Sequence, residues 1–261
     1  MSETWGKGTL NNTIGWGQGA CDNTINWGKS QKDSSVAASW SGDTDISGCS
    51  GAAGLAQIDN LNSMSFDGIN DSINLGVSPP PLNTSFQKAS FSLWAKTTAW
   101  GTPSSGFTLF NNRPNANSGI ALNTYTSSMY LYPVGMASGI SFNMSNSGFI
   151  NDEWNHIAIS INSTKPVATD RIKIYINGVS ATLTGVITLN STFSQSTANF
   201  TIGSGSRGFY DGEIDEFAMW DVTLTEAEIL SIYNATAVVG GVNKTADLSQ
   251  LTTPPVAWYR M

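Results

Sequence analysis

An all-β fold, either a two-sheet sandwich or a barrel of short antiparallel strands, is predicted by three features of the sequence. Charged residues make up 12% of the 261-residue chain, against about 25% in ordinary soluble domains. Asn, Ser, Thr and Gly fill the places that Lys and Glu usually hold, and these residue types suit strands and turns better than helices. Strand-sized apolar runs recur from residue 64 onward, separated by Gly-rich and Asn-rich clusters, with almost no helical periodicity between them.

Residues 1–46 form a repeat. In WGKGTLNNTIGWGQGACDNTINWGKS, Trp5, Trp16 and Trp27 stand eleven residues apart, and Ile14, Ile25 and Val36 recur at the same interval. An eleven-residue apolar period suits a right-handed coiled coil, but Gly6, Gly8, Gly15, Gly17 and Gly19 would each cost a helix about 0.8–1.0 kcal/mol relative to Ala. An extended repeat remains. Such units bury their apolar faces by stacking on neighbours, typically in arrays of about three or more. The third copy is degraded, with Lys32 where Leu10 and Cys21 stood. The segment is therefore expected to order against other copies, with a trimer favoured, or against a partner protein, through Trp5, Trp16, Trp27 and Trp40. Cys21 replaces Leu10 as a small hydrophobe, with a Cys21–Cys49 disulfide as the alternative. Residues 47–62, SGCSGAAGLAQIDNLN, read as a small-residue linker.

The sandwich or barrel is expected over 63–236. The runs FSLWAKT (91–97), WNHIAISI (154–161), NFTIGS (199–204) and EIDEFAMW (213–220) all have strand length. In RIKIYING, Ile172, Ile174 and Ile176 alternate with Arg171, Lys173 and Tyr175, the period-two pattern of a half-buried strand, and Asn177-Gly178 supplies the positive φ angles of a tight hairpin. One short helix is expected in LTEAEILSIYN (224–234). Thr225 and Glu228 form its capping box, Leu224 can staple onto Ile229, and Ile229, Ile232 and Tyr233 make an apolar stripe that closes one end or edge. Residues 237–261 read as an extension, and their last stretch, TTPPVAWYRM, resembles the start of a further segment, so the natural chain is expected to continue past Met261.

Charge and motifs exclude several function classes. A net charge of −7 argues against nucleic acid, which needs clustered Lys and Arg. No window is apolar and long enough to cross a bilayer, and no early stretch has the form of a secretory signal. His156, the one histidine of the chain, is read as a hydrogen-bonded structural residue, since no Ser-His-Asp set assembles around it. Cys21 and Cys49 lack zinc-ligand or CxxC spacing. Aromatics among turn residues, Trp100, Tyr125, Phe209 and Tyr210, with Asn112 and Arg113 nearby, are the ingredients of a sugar platform, or else they pack in the core or between subunits.

The segments SMSFDGINDSINLG (63–76), FSLWAKT (91–97), EWNHIAISI (153–161), IKIYINGV (172–179) and IGSGSRGFYDGEIDEFAMWDVTLTEAEI (202–229), in that order, resemble the laminin G-like jelly rolls of the concanavalin A-like lectin and glucanase superfamily. The likeness covers about 180 residues and implies an antiparallel two-sheet jelly roll. It also implies calcium as a cofactor, held by Asp67, Asn70, Asp71 and Asp215, whose hard oxygens suit that ion. The alternative is that Asp67-Gly68 and Asn70-Asp71 are turn formers, satisfied by backbone N–H groups. Laminarinase-like glucanases of this fold carry a Glu-x-Asp-x-Glu strand. Here Glu213 and Asp215 fit that pattern, but Phe217 stands in the third place, so one of the two carboxylates that hydrolysis requires is missing. Glu216 belongs to the opposite strand face and could substitute only through a bulge. The Trp-Gly segment resembles N-terminal repeats of bacteriophage structural proteins. Together the two resemblances imply a non-enzymatic virion protein, a fibre, decoration or tail-associated component, in which a lectin-like domain meets host surface glycans and the repeat contacts other virion proteins. The alternatives are a secreted bacterial lectin module and, more remotely, a glucanase.

Overall fold

The computed structural model describes residues 55–261 except 78, 101–105, 116–117, 134–138, 186–192, 194–195 and 240. Among these residues the alternating runs become two packed antiparallel sheets, the jelly-roll sandwich expected. The larger, seven-stranded sheet runs Val179–Ser180, Ile172–Ile176, Asn155–Asn162, Lys88–Lys96, Asp211–Trp220 and Ala257–Tyr259, and Met64–Asp67 also pairs with the long 211–220 strand. The second sheet, six-stranded, runs Ile73–Val77, Asn199–Ile202, Thr108–Asn111, Ala121–Tyr125, Ser128–Tyr132 and Ile140–Asn143. Ile157, Ile159, Ile161, Ile172 and Ile174 are fully buried between the sheets. Aromatic rings fill the centre: Phe110 of the second sheet lies 5.4 Å from Phe91 and 5.6 Å from Phe217 of the first. A buried phenylalanine contributes roughly 1.5–3 kcal/mol, so this cluster helps to hold the sheets together alongside the buried isoleucines and leucines. The Asn177-Gly178 turn has φ of 51° and 78°, both positive as a type I′ hairpin requires.

A third layer covers the outer face of the larger sheet. The helix Glu226–Asn234 is capped by Thr225, whose side chain accepts from the Glu228 N–H while the Glu228 carboxylate accepts from the Thr225 N–H at 2.7 Å. It lies across this outer face, where Ile229, Ile232 and Leu224 pack with Tyr175, Ala218 and Trp220, rather than at an end or edge as its sequence suggests. Beside it, Gln57–Asp59, Val242–Ala246 and Ala237–Val239 form a small antiparallel sheet. The strand 57–59 falls in the span read as linker, and 242–246 and 257–259 fall in the span read as extension. Burying a polar face requires that its hydroxyls and ring N–H groups find partners. They do: Ser160 Oγ donates to the Leu224 carbonyl, Ser90 Oγ to the Val222 carbonyl, and Trp220 Nε1 to the Thr253 carbonyl. The repeat residues Trp5, Trp16, Trp27 and Trp40, and the Cys21–Cys49 pair, lie outside the described residues.

Candidate functional site

The outer face of the second sheet is polar and carries a pocket. On Ala121–Tyr125, Leu122 turns into the core while Ala121, Asn123 and Tyr125 alternate outward. Ala121 stands in register between Asn111 and Tyr132, and its small side chain leaves a hollow between these larger neighbours. The hollow is a cavity of about 420 Å³ lined by Asn111, Arg113, Asn123, Tyr132, Ser206 and Arg207, among others. Ser206 and Arg207 form the tip of a small hairpin, Ser204–Gly205 with Gly208–Phe209, pinned onto the sheet where the Arg207 N–H donates to Thr108 Oγ1.

Two guanidinium groups are fixed at this pocket by aromatic rings. The Arg113 group lies 5.1 Å from the Tyr132 ring centroid and the Arg207 group 4.4 Å from that of Tyr125, distances within the cation–π range. Burial pulls the Arg113 pKa below its ordinary value, while Tyr132 acts in the opposite direction. Asn123 is 2% exposed. Its Nδ2 donates to Ser206 Oγ at 3.4 Å, and its Oδ1 is buried without a hydrogen-bond partner among the described residues. Such an orphaned acceptor costs about 1–3 kcal/mol, and a bound ligand with an O–H or N–H would remove that cost.

The structure divides the expected sugar-binding residues. Arg113 and Tyr125 belong to the pocket region. Trp100 and Tyr210 do not, because both are buried: the Trp100 ring stacks on Phe149 at 4.5 Å, and Tyr210 donates its hydroxyl to the Lys96 carbonyl. Their apolar area, sited beside turn residues, closes the end of the core. Asn112 is also buried and donates to the Ala198 carbonyl, while Phe209 is 39% exposed on the hairpin. The sequence alone does not mark Asn123, Tyr132 and Arg207 as members of the site. The outward alternation of Asn123 with Tyr125 was the signal available for the first.

The expected calcium donors do not converge. Asp67 pairs with Asp211 across the strands, and Asp215 lies four residues further along, roughly 13 Å away at strand rise. Asp67 Oδ1 accepts from the Ile69 and Asn70 N–H groups and Asp71 Oδ2 from the Asp67 N–H, which is turn chemistry. Backbone hydrogen bonds, chiefly from Ile69, hold the Asp67 carboxyl below its usual pKa. Among the described residues no cluster of three His, Cys, Asp or Glu has metal-binding geometry.

The acidic strand 213–216 holds a bulge. Asp215 pairs with Trp94 but Ala218 with Ser92, one residue too many on this strand, and Glu216 takes φ of 52°. This places the Asp215 and Glu216 carboxylates together on the outer face, with Phe217 in the core. Neither is open to a substrate, since they are 1% and 4% exposed. Glu216 accepts from Trp258 Nε1 at 2.5 Å, Arg260 Nε at 3.3 Å and Thr245 Oγ1 at 3.2 Å. His156 is fully buried, with Nε2 2.8 Å from Ser92 Oγ and its ring against Trp94 and Tyr233. Burial lowers its pKa to about 3, so it is neutral and structural.

A family model and two neurotoxin domains agree with this architecture. The model of the concanavalin A-like lectin/glucanases superfamily, in its laminin G-like branch, matches residues 67–230. Among solved structures, the receptor binding domain of botulinum neurotoxin mosaic serotype C/D is 18% identical with a TM-score of 0.53, covering 70% of this chain and 46% of that one. The receptor binding domain of botulinum neurotoxin D is 17% identical with a TM-score of 0.52, covering 72% and 51%. A heptameric SAP-like pentraxin from Limulus polyphemus is 14% identical with a TM-score of 0.48, covering 66% and 81%. This chain spans about half the length of the neurotoxin chains. No curated protein matches the sequence.

Proposed function

The chain belongs to the concanavalin A-like lectin/glucanases superfamily, and from that premise we propose that it is a non-catalytic glycan-binding module whose site is the pocket on the outer face of the second sheet. The observation that carries this reading is the convergence of Arg113, Arg207, Tyr132 and the orphaned Asn123 carbonyl on one hollow. Saccharide recognition needs this combination: aromatic surface for the ring and fixed polar groups for the hydroxyls. The non-catalytic part of this reading is supported by the 211–220 strand, where Phe217 stands in the third place of the glucanase-type acidic pattern and Trp258, Arg260 and Thr245 donate to Glu216.

Calorimetric titration of the full chain with glycans that score on an array tests the reading. Wild type should bind, and Tyr132→Ala should weaken binding about tenfold, the effect of losing an aromatic contact of roughly 1.4 kcal/mol. A wild-type chain that binds no saccharide overturns it. Hydrolysis is tested separately: reducing-sugar release from β-glucans that vanishes in Glu213→Gln would refute the non-catalytic assignment. The proposal extends to the place of action. The eleven-residue Trp-Gly repeat supports display on a bacteriophage particle, as a fibre, decoration or tail-associated protein, with the repeat joining copies of the chain to each other or to other virion proteins.

A further inference from the structure

We infer that the pocket selects a saccharide bearing a carboxylate; this rests on the glycan-binding reading above and narrows it. The chain carries a net charge of −7, yet the pocket is lined by two arginines and, among the described residues, by no Asp or Glu. Arg207 makes no ion pair among the described residues. A neutral sugar would find enough donors in asparagine and serine side chains, so two cations are in excess of its needs. The guanidinium groups lie within cation–π distance of Tyr132 and Tyr125, contacts that restrain them at the pocket, and a planar fork of N–H donors is the geometric match for a carboxylate.

Asn123 decides between an acidic sugar and a simple anion. Its buried Oδ1 accepts only, and it has no partner among the described residues. A fully ionised inorganic anion presents acceptors and would leave this oxygen unsatisfied. A sugar acid presents both parts: a carboxylate for the guanidinium groups and, within the same ring, hydroxyl or amide donors for Asn123. Hexuronates and nonulosonates share this chemistry.

Titration of the full chain with trigalacturonic acid and with 3′-sialyllactose, each beside its methyl ester, tests the inference and separates the two sources. At least one acid should bind about tenfold or more tightly than its ester, the worth of one charge-assisted contact of roughly 1.4 kcal/mol. Arg207→Gln, at an exposed hairpin tip, should collapse that ratio toward one, and added salt should do so in part. An acid and ester that bind equally, or a ratio unchanged in Arg207→Gln, overturns the acidic class while glycan binding stands. Phosphate that competes as well as the acid also overturns it. Binding of neutral glycans alone rejects this inference, whereas binding of no saccharide at all rejects the reading beneath it.

Discussion

Glu216 occupies a left-handed backbone conformation, φ 52°, that costs a side-chain-bearing residue roughly 1–2 kcal/mol. The place explains the tolerance. Along one edge of the 211–220 strand, Met64–Asp67 pairs with 211–214 and Ala257–Tyr259 with 217–219, so the bulge falls where one neighbour ends and the other begins. Donors from Trp258, Arg260 and Thr245 then hold the carboxylate. Beside it, Asp215 Oδ1 accepts from the Met261 and Glu216 N–H groups. Burial raises both pKa values, and the Asp215 charge raises that of Glu216 further. A raised acid stabilises the fold fully below the ordinary carboxylate range, and that contribution is lost as pH climbs through the raised value. His156 acts in the opposite sense: its contribution is complete above about pH 6.5 and drains as pH falls toward about 3, at roughly 1.4 kcal/mol per unit. Asp215→Asn should therefore flatten the loss of Tm from the carboxylate range up to neutrality, and His156→Gln should flatten the acid-side loss. Melting curves across pH decide both, and a lowered Tm with an unchanged slope would show that burial of the charge is not the cause.

The strand Ile172–Ile176 shows what pattern reading captures and where it stops. Its three isoleucines are at most 1% exposed, and Ile174→Asp should unfold the sandwich, because an unpaired carboxylate there costs several kcal/mol or about the whole stability of a domain. A variant with wild-type melting would contradict the inward placement. The alternation and the Asn177-Gly178 turn made this hairpin readable, and Thr225 with Glu228 made the helix readable, because each signal is local. Tyr175 reads as solvent-facing by the same alternation, yet it is 5% exposed under the helix. No local signal reveals a covering layer built from three-residue strands near 57–59 and 237–239. The candidate site was half visible for the same reason. Arg113 and Tyr125 stand out as a cation and an aromatic among turn residues, but their grouping with Asn123, Tyr132 and Arg207 depends on register across several strands and on a hairpin folded back over Thr108. Trp100 misled because an aromatic beside turn residues can point inward as readily as outward.

At the scale of the whole molecule, the covering layer determines how the chain can be cut. The outer face of the larger sheet buries Trp94, His156, Ala218 and Trp220, and part of its cover comes from residues distant in sequence. Gln57–Asp59 pairs with Val242–Ala246; Lys244 forms an ion pair with Asp59, and the Arg260 guanidinium donates to the Asp59 carbonyl. Removing residues 2–46 leaves all of these contacts in place, and the truncated chain should melt at the wild-type temperature and keep its glycan affinity. Removing 2–62 takes away an edge strand and the Lys244 and Arg260 partners, and should lower Tm by several degrees, since about 1 kcal/mol shifts a domain of this size by roughly 2–4 °C. Ending the chain at residue 236 should be the most damaging cut. It strips Thr245, Trp258 and Arg260 from Glu216 and the Thr253 carbonyl from Trp220, leaving two carboxylates and an indole N–H at a face built to be covered, and insoluble or unfolded protein is the expected outcome. The 2–46 deletion also tests the role proposed for the Trp-Gly repeat. A soluble module that still binds its glycan, but no longer self-associates or enters particles, separates display from recognition; if that shortened chain assembles into particles as efficiently as the full one, the repeat does not dock it.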